Sequence, residues 1–337
     1  MKKLSWAHKF VFSINIVVAV LLILGYASAY IPVKSFPRIS IYSLITPVLI
    51  VVNIIFMLYW MVKIKRQFLL SFLILLIGYP KVSSLYKFSG TQEVVSNGTL
   101  KVMTYNVRVF NVYKWIKGED VFGEIKSLIK EENPSILCFQ EFYYTKEGMF
   151  NEFPYRYINY KTQETGQAIY SKFPIINKGS LEFPNSGNNA IFADIVCDSD
   201  TIRVYNIHLQ SFHIDPESEE ISQKNSSRLA SRMGAVFSKQ QVQTEIFVEH
   251  KNQSPYKTIT CGDLNNNQYS AIYQQIKGND LDSFEEQGEG TGKTFYFKYF
   301  PLRIDFIFMD PRLEVVSHKN RYEQLSDHYP VMTQLQL

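Results

Sequence analysis

The hydrophobic pattern changes character near residue 90. Before that point the chain runs in long apolar stretches, and after it in short apolar or β-branched runs broken by turn residues. No charged residue occurs between Lys9 and Lys34, and the stretch from Phe10 to Tyr30 has the roughly 20 residues needed to cross a bilayer core. A second uncharged stretch, Ile39 to Val62, is bounded by Arg38 and Lys63 and meets the same length test. A third, Phe68 to Tyr79, is short, and reaches spanning length only by continuing past a snorkelling Lys81 to Tyr86. The pattern predicts a membrane anchor over residues 1–80, with spans at about 10–30, 39–62 and 67–86. A linker rich in Ser, Gly and Asn follows over 81–99, and a folded domain over 100–337. A cleaved signal peptide fits the first stretch poorly, because it is too long and another span follows at once.

In the remainder, strands are predicted at Lys101–Val107, Ser135–Gln140, Gln167–Tyr170, Ala190–Val196, Thr201–Leu209, Lys257–Cys261, Thr294–Lys298, Arg303–Met309 and Val331–Leu335. Helical periodicity covers Glu119–Glu131 and Ser227–Glu249. The domain is therefore mixed α/β. The aromatic run Phe153–Tyr160 reads as a strand with a buried face, and the polar stretch Ser211–Ser227 as a solvated loop. No repeat of 20 to 50 residues is present.

Charge divides with hydropathy. Residues 1–90 hold ten Lys or Arg and no Asp or Glu, leaving 25 basic against 31 acidic side chains beyond them. The net positive charge belongs to the anchor, and the folded domain does not present the bulk basic footprint of a nucleic-acid binder. Lys2, Lys3 and Lys9 precede the first span, and Lys63, Lys65 and Arg66 follow the second, so the positive-inside rule places both clusters in the cytoplasm. If the third stretch crosses, the domain faces outward, as an extracytoplasmic part of an integral protein in a bacterial-type plasma membrane. The cysteines, Cys138, Cys197 and Cys261, lie in strand-like runs without zinc-site spacing and read as buried thiols.

Candidate chemistry gathers at the C-terminal tips of predicted strands, where side chains from different strands converge. These tips carry Tyr105-Asn106, Gln140-Glu141, Asn206-Ile207-His208, Gly262-Asp263-Leu264-Asn265 and Ser326-Asp327-His328, and Arg303-Ile304-Asp305 opens another strand. Singly, each has an ordinary structural use, since Asp and Asn form turns and a strand His is commonly a satisfied structural residue. As a set they suit metal-assisted phosphoryl hydrolysis. Mg²⁺, with Mn²⁺ as an alternative, takes oxygen ligands and keeps several waters, so Glu141, Asp327 and Asn106 suffice to hold it. His208, His328 and Asn265 offer donors where phosphoryl charge develops. Asp263 and Asp305 are candidates to orient or deprotonate a water and to fix a histidine tautomer. His8, His213, His250 and His318 fall outside these tips and read as structural or exposed.

The motifs MTYNVR (103–108), CFQE (138–141), QAIYSKFPI (167–175), YNIHLQS (205–211), CGDLNN (261–266), LRIDFIF (302–308) and SDHYPV (326–331) together resemble the endonuclease/exonuclease/phosphatase superfamily, the deoxyribonuclease I-like fold, over residues 98–337. The resemblance implies a four-layered α/β sandwich, here preceded by two or three transmembrane helices. It also implies a Mg²⁺ group of Glu141, Asn106 and Asp327, phosphate contacts at His208 and Asn265, and an Asp305–His328 pair facing the scissile phosphate. Asp263 or His328 serves as base, with Asp263 favoured. The short CGDLNN and RIDF forms differ from the Trp-rich versions of inositol-polyphosphate phosphatases and look closer to the nuclease and general hydrolase branch.

Three functions fit: a phosphodiesterase acting on nucleic acid, a hydrolase of phospholipid head groups or small phosphate esters, and an inactive membrane receptor or scaffold. Fold alone does not choose among them. Glu141, His208, Asp263, Asn265, Asp305, Asp327 and His328 are all present, which weighs against the third. The bilayer is the one partner the anchor implies besides substrate, and no protein partner is inferable.

Overall fold

The computed structural model describes residues 4–90, 99–117, 120–198, 200–212, 223–298 and 300–337. The chain divides into two compact units. One comprises Met1–Tyr86, Ile214–Ser238 and Asn267–Gln274, and the other Lys87–His213, Lys239–Asn266 and Gln275–Leu337.

The first unit contains α1 (Trp6–Ser28), α2 (Ile41–Val62), α3 (Phe68–Ile77) and α4 (Tyr79–Ser83). Helices α1 and α2 are long and apolar enough to cross a membrane, and they leave Val17, Ile23, Ile55 and Leu58 more than half exposed. Helices in hydrocarbon associate through small residues and interhelical hydrogen bonds rather than hydrophobic burial. Both devices occur here. A Cβ on Gly25 would meet Thr46 Oγ1 at 2.4 Å. Asn15 Nδ2 donates to Ser71 Oγ at 2.8 Å, Ser71 Oγ to Asn53 Oδ1 at 3.2 Å, and Trp60 Nε1 to Asn15 Oδ1 at 3.1 Å, so one polar network links α1, α2 and α3. Pro47 lies inside α2 and has no N–H to give the carbonyl of Ser43. Asn267 Nδ2 donates to that carbonyl at 3.0 Å.

The third apolar stretch is not one helix. It ends at Ile77, breaks at Gly78 and restarts as α4 with a proline in its first turn. Ten residues of α3 rise about 15 Å, half a bilayer core of about 30 Å.

Elements of the rest of the chain are β1 (Thr99–Asn106), α5 (Val121–Glu132), β2 (Ile136–Tyr143), β3 (Tyr155–Tyr160), β4 (Thr165–Ser171), β5 (Ile175–Glu182), β6 (Asn189–Cys197), β7 (Asp200–His208), α6 (Gln223–Asn252), β8 (Lys257–Asp263), α7 (Ala271–Lys277), β9 (Leu281–Asp282), α8 (Ser283–Gln287), β10 (Asp305–Met309), β11 (Glu314–Asn320) and β12 (Val331–Gln336). Two six-stranded sheets, ordered β11-β12-β1-β2-β4-β3 and β5-β6-β7-β8-β10-β9, pack face to face. Strand alternation explains the layering. Leu100 and Val102 of β1 join Ile136, Ile191, Val204, Ile259 and Ile307 between the sheets, while Met103 and Tyr105 of β1 face Ile125, Leu128 and Ile129 of α5. On the second sheet Tyr205 packs edge-on against Phe247 of α6, ring centroids 5.1 Å apart. The result is a four-layered α/β sandwich.

Several expectations change. Thr294–Lys298 is no strand: Phe295 makes isolated bridges to Leu302 and His328. Strands β5 and β11 escaped the pattern because they lie at sheet edges with largely exposed or half-buried side chains. The run at 153–160 does form β3, but at an edge, where its side chains are exposed or half-buried instead of forming a buried face. The three cysteines are buried and free. His250 contacts Tyr205 Oη at 2.9 Å and His318 contacts Ser283 Oγ at 2.9 Å, both structural roles. His213, the loop at 211–227 for the most part, and linker residues 91–98 lie outside the described residues.

Candidate active site

Strand register brings the motif residues together. Parallel pairing of β7 with β8 sets His208 beside Asp263, and antiparallel pairing of β8 with β10 sets Asp263 beside Asp305, one row across three strands. In the other sheet β1 and β2 run parallel with Asn106 beside Gln140, so Glu141 stands one residue beyond. The β1–β12 ladder ends at Thr104–Val331, which leaves Asp327 and His328 next to Asn106. A register shift between Phe139 and Phe142 marks a bulge in β2, and Glu141 takes a left-handed φ of 52°. Bulges re-aim side chains, and strained backbone persists where its surroundings impose it. Gly262 is required where it stands: its φ is 137°, and a Cβ would lie 2.0 Å from the carbonyl oxygen of Ile207.

Asp263 is the hub. Its Oδ2 accepts from Asn106 Nδ2 at 3.1 Å and from Asn265 Nδ2 at 3.2 Å, and its Oδ1 accepts from the Asn265 backbone at 2.7 Å. His208 Nε2 and His328 Nε2 stand 3.6 and 3.7 Å from Oδ2. Asn106 Nδ2 also reaches Glu141 Oε1 at 3.3 Å, so one amide bridges Glu141 and Asp263. His328 Nδ1 faces both oxygens of Asp305 at 3.1 and 2.9 Å, and Phe295 packs on its ring at 5.0 Å. Asp327 Oδ2 lies 3.2 Å from Arg108 Nη1. All eight residues read from the sequence thus gather at one end of the two sheets.

Electrostatics separate their characters. Burial disfavours the His328 imidazolium, but the carboxylates of Asp305 and Asp263 outweigh it and raise its pKa to about 10. Burial raises Asp263 to about 6, opposed by the charge of His328 and reinforced by Asp305. At neutral pH the pair is carboxylate and imidazolium. Burial also raises Glu141, His328 counters it, and nearby Asp327 adds to it.

Two donor groups could hold a divalent cation. Asp263, Asp305 and His328 offer ligand atoms all within 4.8 Å of one another, but His328 spends Nδ1 on Asp305 and would offer nitrogen to a cation that prefers oxygen. Glu141, Asn106 and Asp327 supply two carboxylates and an amide, the oxygen set that Mg²⁺ prefers. Turned over, as amide orientation allows, Asn106 would present its oxygen to that position in place of its present bonds to Glu141 and Asp263. The second group fits the cation better.

Sequence reading missed three contributors. Arg108 closes the MTYNVR motif without showing any sign of its pairing with Asp327. Thr294 Oγ1 accepts from the backbones of Ile304 at 2.9 Å and Asp305 at 3.0 Å, bracing the start of β10. Phe295, read as a strand residue, covers His328. Gln140 and Asn206, by contrast, bond each other at 2.5 Å while buried, and tie β2 to β7.

Comparison with known proteins bears on the family and the fold. The endonuclease/exonuclease/phosphatase family matches residues 103–328, two thirds of the chain, and the chain belongs to that family. This makes it a phosphoesterase by class. Residues 8–85 match a domain of unknown function, DUF8431. Among solved structures, the human Nocturnin catalytic domain with bound sulfate is 15% identical, covers 72% of this chain and 96% of its own, and superposes with a TM-score of 0.56. D. rerio TDP2 complexed with single-strand DNA product gives 14%, 72%, 100% and 0.54. An endonuclease/exonuclease/phosphatase family protein from Bacteroides thetaiotaomicron gives 18%, 70%, 97% and 0.52. At these identities the likeness is one of fold. No curated protein matches by sequence.

Proposed function

We propose that the chain is a membrane-anchored, Mg²⁺-dependent phosphodiesterase. The observation that carries this reading is the gathering of Glu141, Asn106 and Asp263 within hydrogen-bond reach of one another, with His328 held against Asp305. Glu141, Asn106 and Asp327 would hold the cation, which supplies positive charge where phosphoryl oxygens become more negative.

The protein's own groups divide the rest of the work. Asp263 accepts a proton from the attacking water, a role supported by its ionised state at neutral pH and its fixed orientation. His328 already carries a proton and does not compete as base; through Nε2 it donates to the phosphoryl group while Asp305 holds Nδ1. His208 and Asn265 add donors on the same side of Asp263. Such preorganised donors stabilise developing charge without reorganising at the moment of reaction.

The anchor role rests on α1 and α2. Residues 68–83 form two short helices that break at Gly78, and an alkaline phosphatase fusion at Lys87 reads whether they cross. Activity there places the catalytic unit outside, as the charge pattern expects, and silence places it inside. For the reaction, the detergent-solubilised full chain is tested on single-stranded DNA, RNA and sphingomyelin or phosphoinositide vesicles, with Mg²⁺ and with EDTA. Hydrolysis that needs Mg²⁺ and is lost in Asp263→Ala supports the reading. EDTA-resistant hydrolysis, or full activity in Asp263→Ala, overturns it.

A further inference from the structure

A cavity of about 140 Å³ adjoins Asp327 and is lined by Arg108, Trp115, Tyr296 and Gln324 among others. Its outer wall is built by an unusual backbone. Arg108, Val109, Phe110 and Asn111 have consecutive φ values of 41°, 50°, 53° and 57°, a left-handed turn without glycine. That conformation costs L-residues energy at every step, and two anchors impose it. Phe110 is buried with its ring 5.5 Å from those of both Phe139 and Phe142. Asn111 exchanges hydrogen bonds with the backbone of Ile116 at 2.8 and 3.0 Å. The turn sets the Arg108 guanidinium 3.2 Å from Asp327 and over the Trp115 ring, 4.3 Å from its centroid. Opposite, Tyr296 is tied to the site by its backbone N–H, which donates to the Asp327 carbonyl at 2.7 Å.

We propose that this cavity holds a nucleobase of a single-stranded nucleic acid, next to the phosphate under attack. The inference rests on the phosphodiesterase reading and narrows its substrate. Three observations choose this occupant. First, Trp115 and Tyr296 remain 40% and 47% exposed, large aromatic surfaces kept open beside a polar site. An apolar cavity of about 150 Å³ takes up benzene, so the space suits one flat ring. Second, both aromatic groups already carry a cation of the protein: Arg108 over Trp115, and Lys293 5.2 Å from the centroid of Tyr296. A choline or ethanolamine head group would meet like charge there, whereas a neutral base stacks on an aromatic or guanidinium plane and its phosphates face the cations. Third, the two flanking segments are locally basic. RVFNVYKWIK (108–117) and KTFYFK (293–298) contain five Lys or Arg and no Asp or Glu, within a region that is acidic overall. Basic groups interleaved with aromatic rings are the chemistry of single-strand binding.

The test uses the full chain in detergent and measures binding and turnover separately. Fluorescence anisotropy, with Ca²⁺ in place of Mg²⁺, compares a labelled twelve-residue oligothymidylate with the same strand made of abasic units. Wild type is expected to prefer the strand with bases by about tenfold or more. The preference is expected to collapse towards one in Trp115→Ala and in Tyr296→Ala, and to persist in Trp115→Phe. Equal affinity of wild type for both strands overturns the inference even if Mg²⁺-dependent hydrolysis is intact, as does a preference unchanged in Trp115→Ala. Preference without any hydrolysis supports the base site and counts against the phosphodiesterase reading instead. Hydrolysis of sphingomyelin or phosphoinositide vesicles with no binding of the oligothymidylate also overturns it.

Discussion

Replacing Asp305 by Asn tests how the site controls its histidine. Asp305 faces His328 Nδ1 at 2.9 and 3.1 Å, and is the foremost of the three carboxylates, with Asp263 and Asp327, that lift the histidine from 6.5 to about 10 against the effect of burial. That rise corresponds to about 5 kcal/mol favouring the imidazolium. Asparagine keeps the shape and removes the charge, so His328 becomes neutral near physiological pH or adopts the wrong tautomer. The comparable change in a Ser-His-Asp triad lowers kcat by about 10⁴, and a loss of about 10³ to 10⁴ is expected here. KM should move little, because Asp305 reaches substrate only through His328. The pH profile supplies the second reading. Activity that needs the imidazolium declines above about pH 10 in the wild type, and at distinctly lower pH in the variant. The same pair stabilises the fold fully below pH 6.5, and that contribution disappears as pH rises through about 10. Initial rates on bis(p-nitrophenyl) phosphate between pH 6 and 10.5, with circular dichroism melts as a folding control, measure both. A kcat within tenfold of wild type and an unshifted profile would refute the reasoning.

Glu141→Gln should melt higher than wild type in EDTA, since burial disfavours the carboxylate. It should also lack the gain of roughly 5–10 °C that wild type shows at Mg²⁺ near 100 times its Kd; a Mg²⁺-dependent melt in the variant argues against Glu141 as ligand. Gly262→Ala should lose about 2 kcal/mol or more in urea unfolding, given its φ of 137° and the Ile207 carbonyl in the way, and near-wild-type stability would show that the strand tip relaxes freely. His318 is half-buried and desolvation lowers it to about 4, so it stays neutral while the unfolded chain takes up a proton. Stability is untouched above pH 6.5 and declines by about 3 kcal/mol as pH falls to 4; urea titrations of His318→Gln should show a shallower decline, and an identical one would place the acid sensitivity elsewhere.

What could be read from the sequence follows the physics of strand ends. Asn106, Glu141, His208, Asp263, Asp305 and His328 each close or open an apolar run, and runs of that kind pair in register, so the convergence was legible. Arg108 was not, because its position depends on a left-handed turn that no glycine announces and that Phe110 imposes from the core. Thr294–Lys298 has the composition of a strand, yet its residues spend their bonds on Leu302, Asp327 and the start of β10. Edge strands β5 and β11 carry too few buried side chains to alternate visibly. The break between α3 and α4 did leave a sign, Gly78 followed by Pro80, which the length argument overran.

Anomalous diffraction from crystals grown with Mn²⁺ tests the central claim most directly. The account predicts one Mn²⁺ with a Glu141 carboxylate oxygen at roughly 2.1 Å and Asn106 and Asp327 around it, while His328 stays on Asp305. A metal lodged among Asp263, Asp305 and His328, or no metal near Glu141 at saturating Mn²⁺, would contradict it.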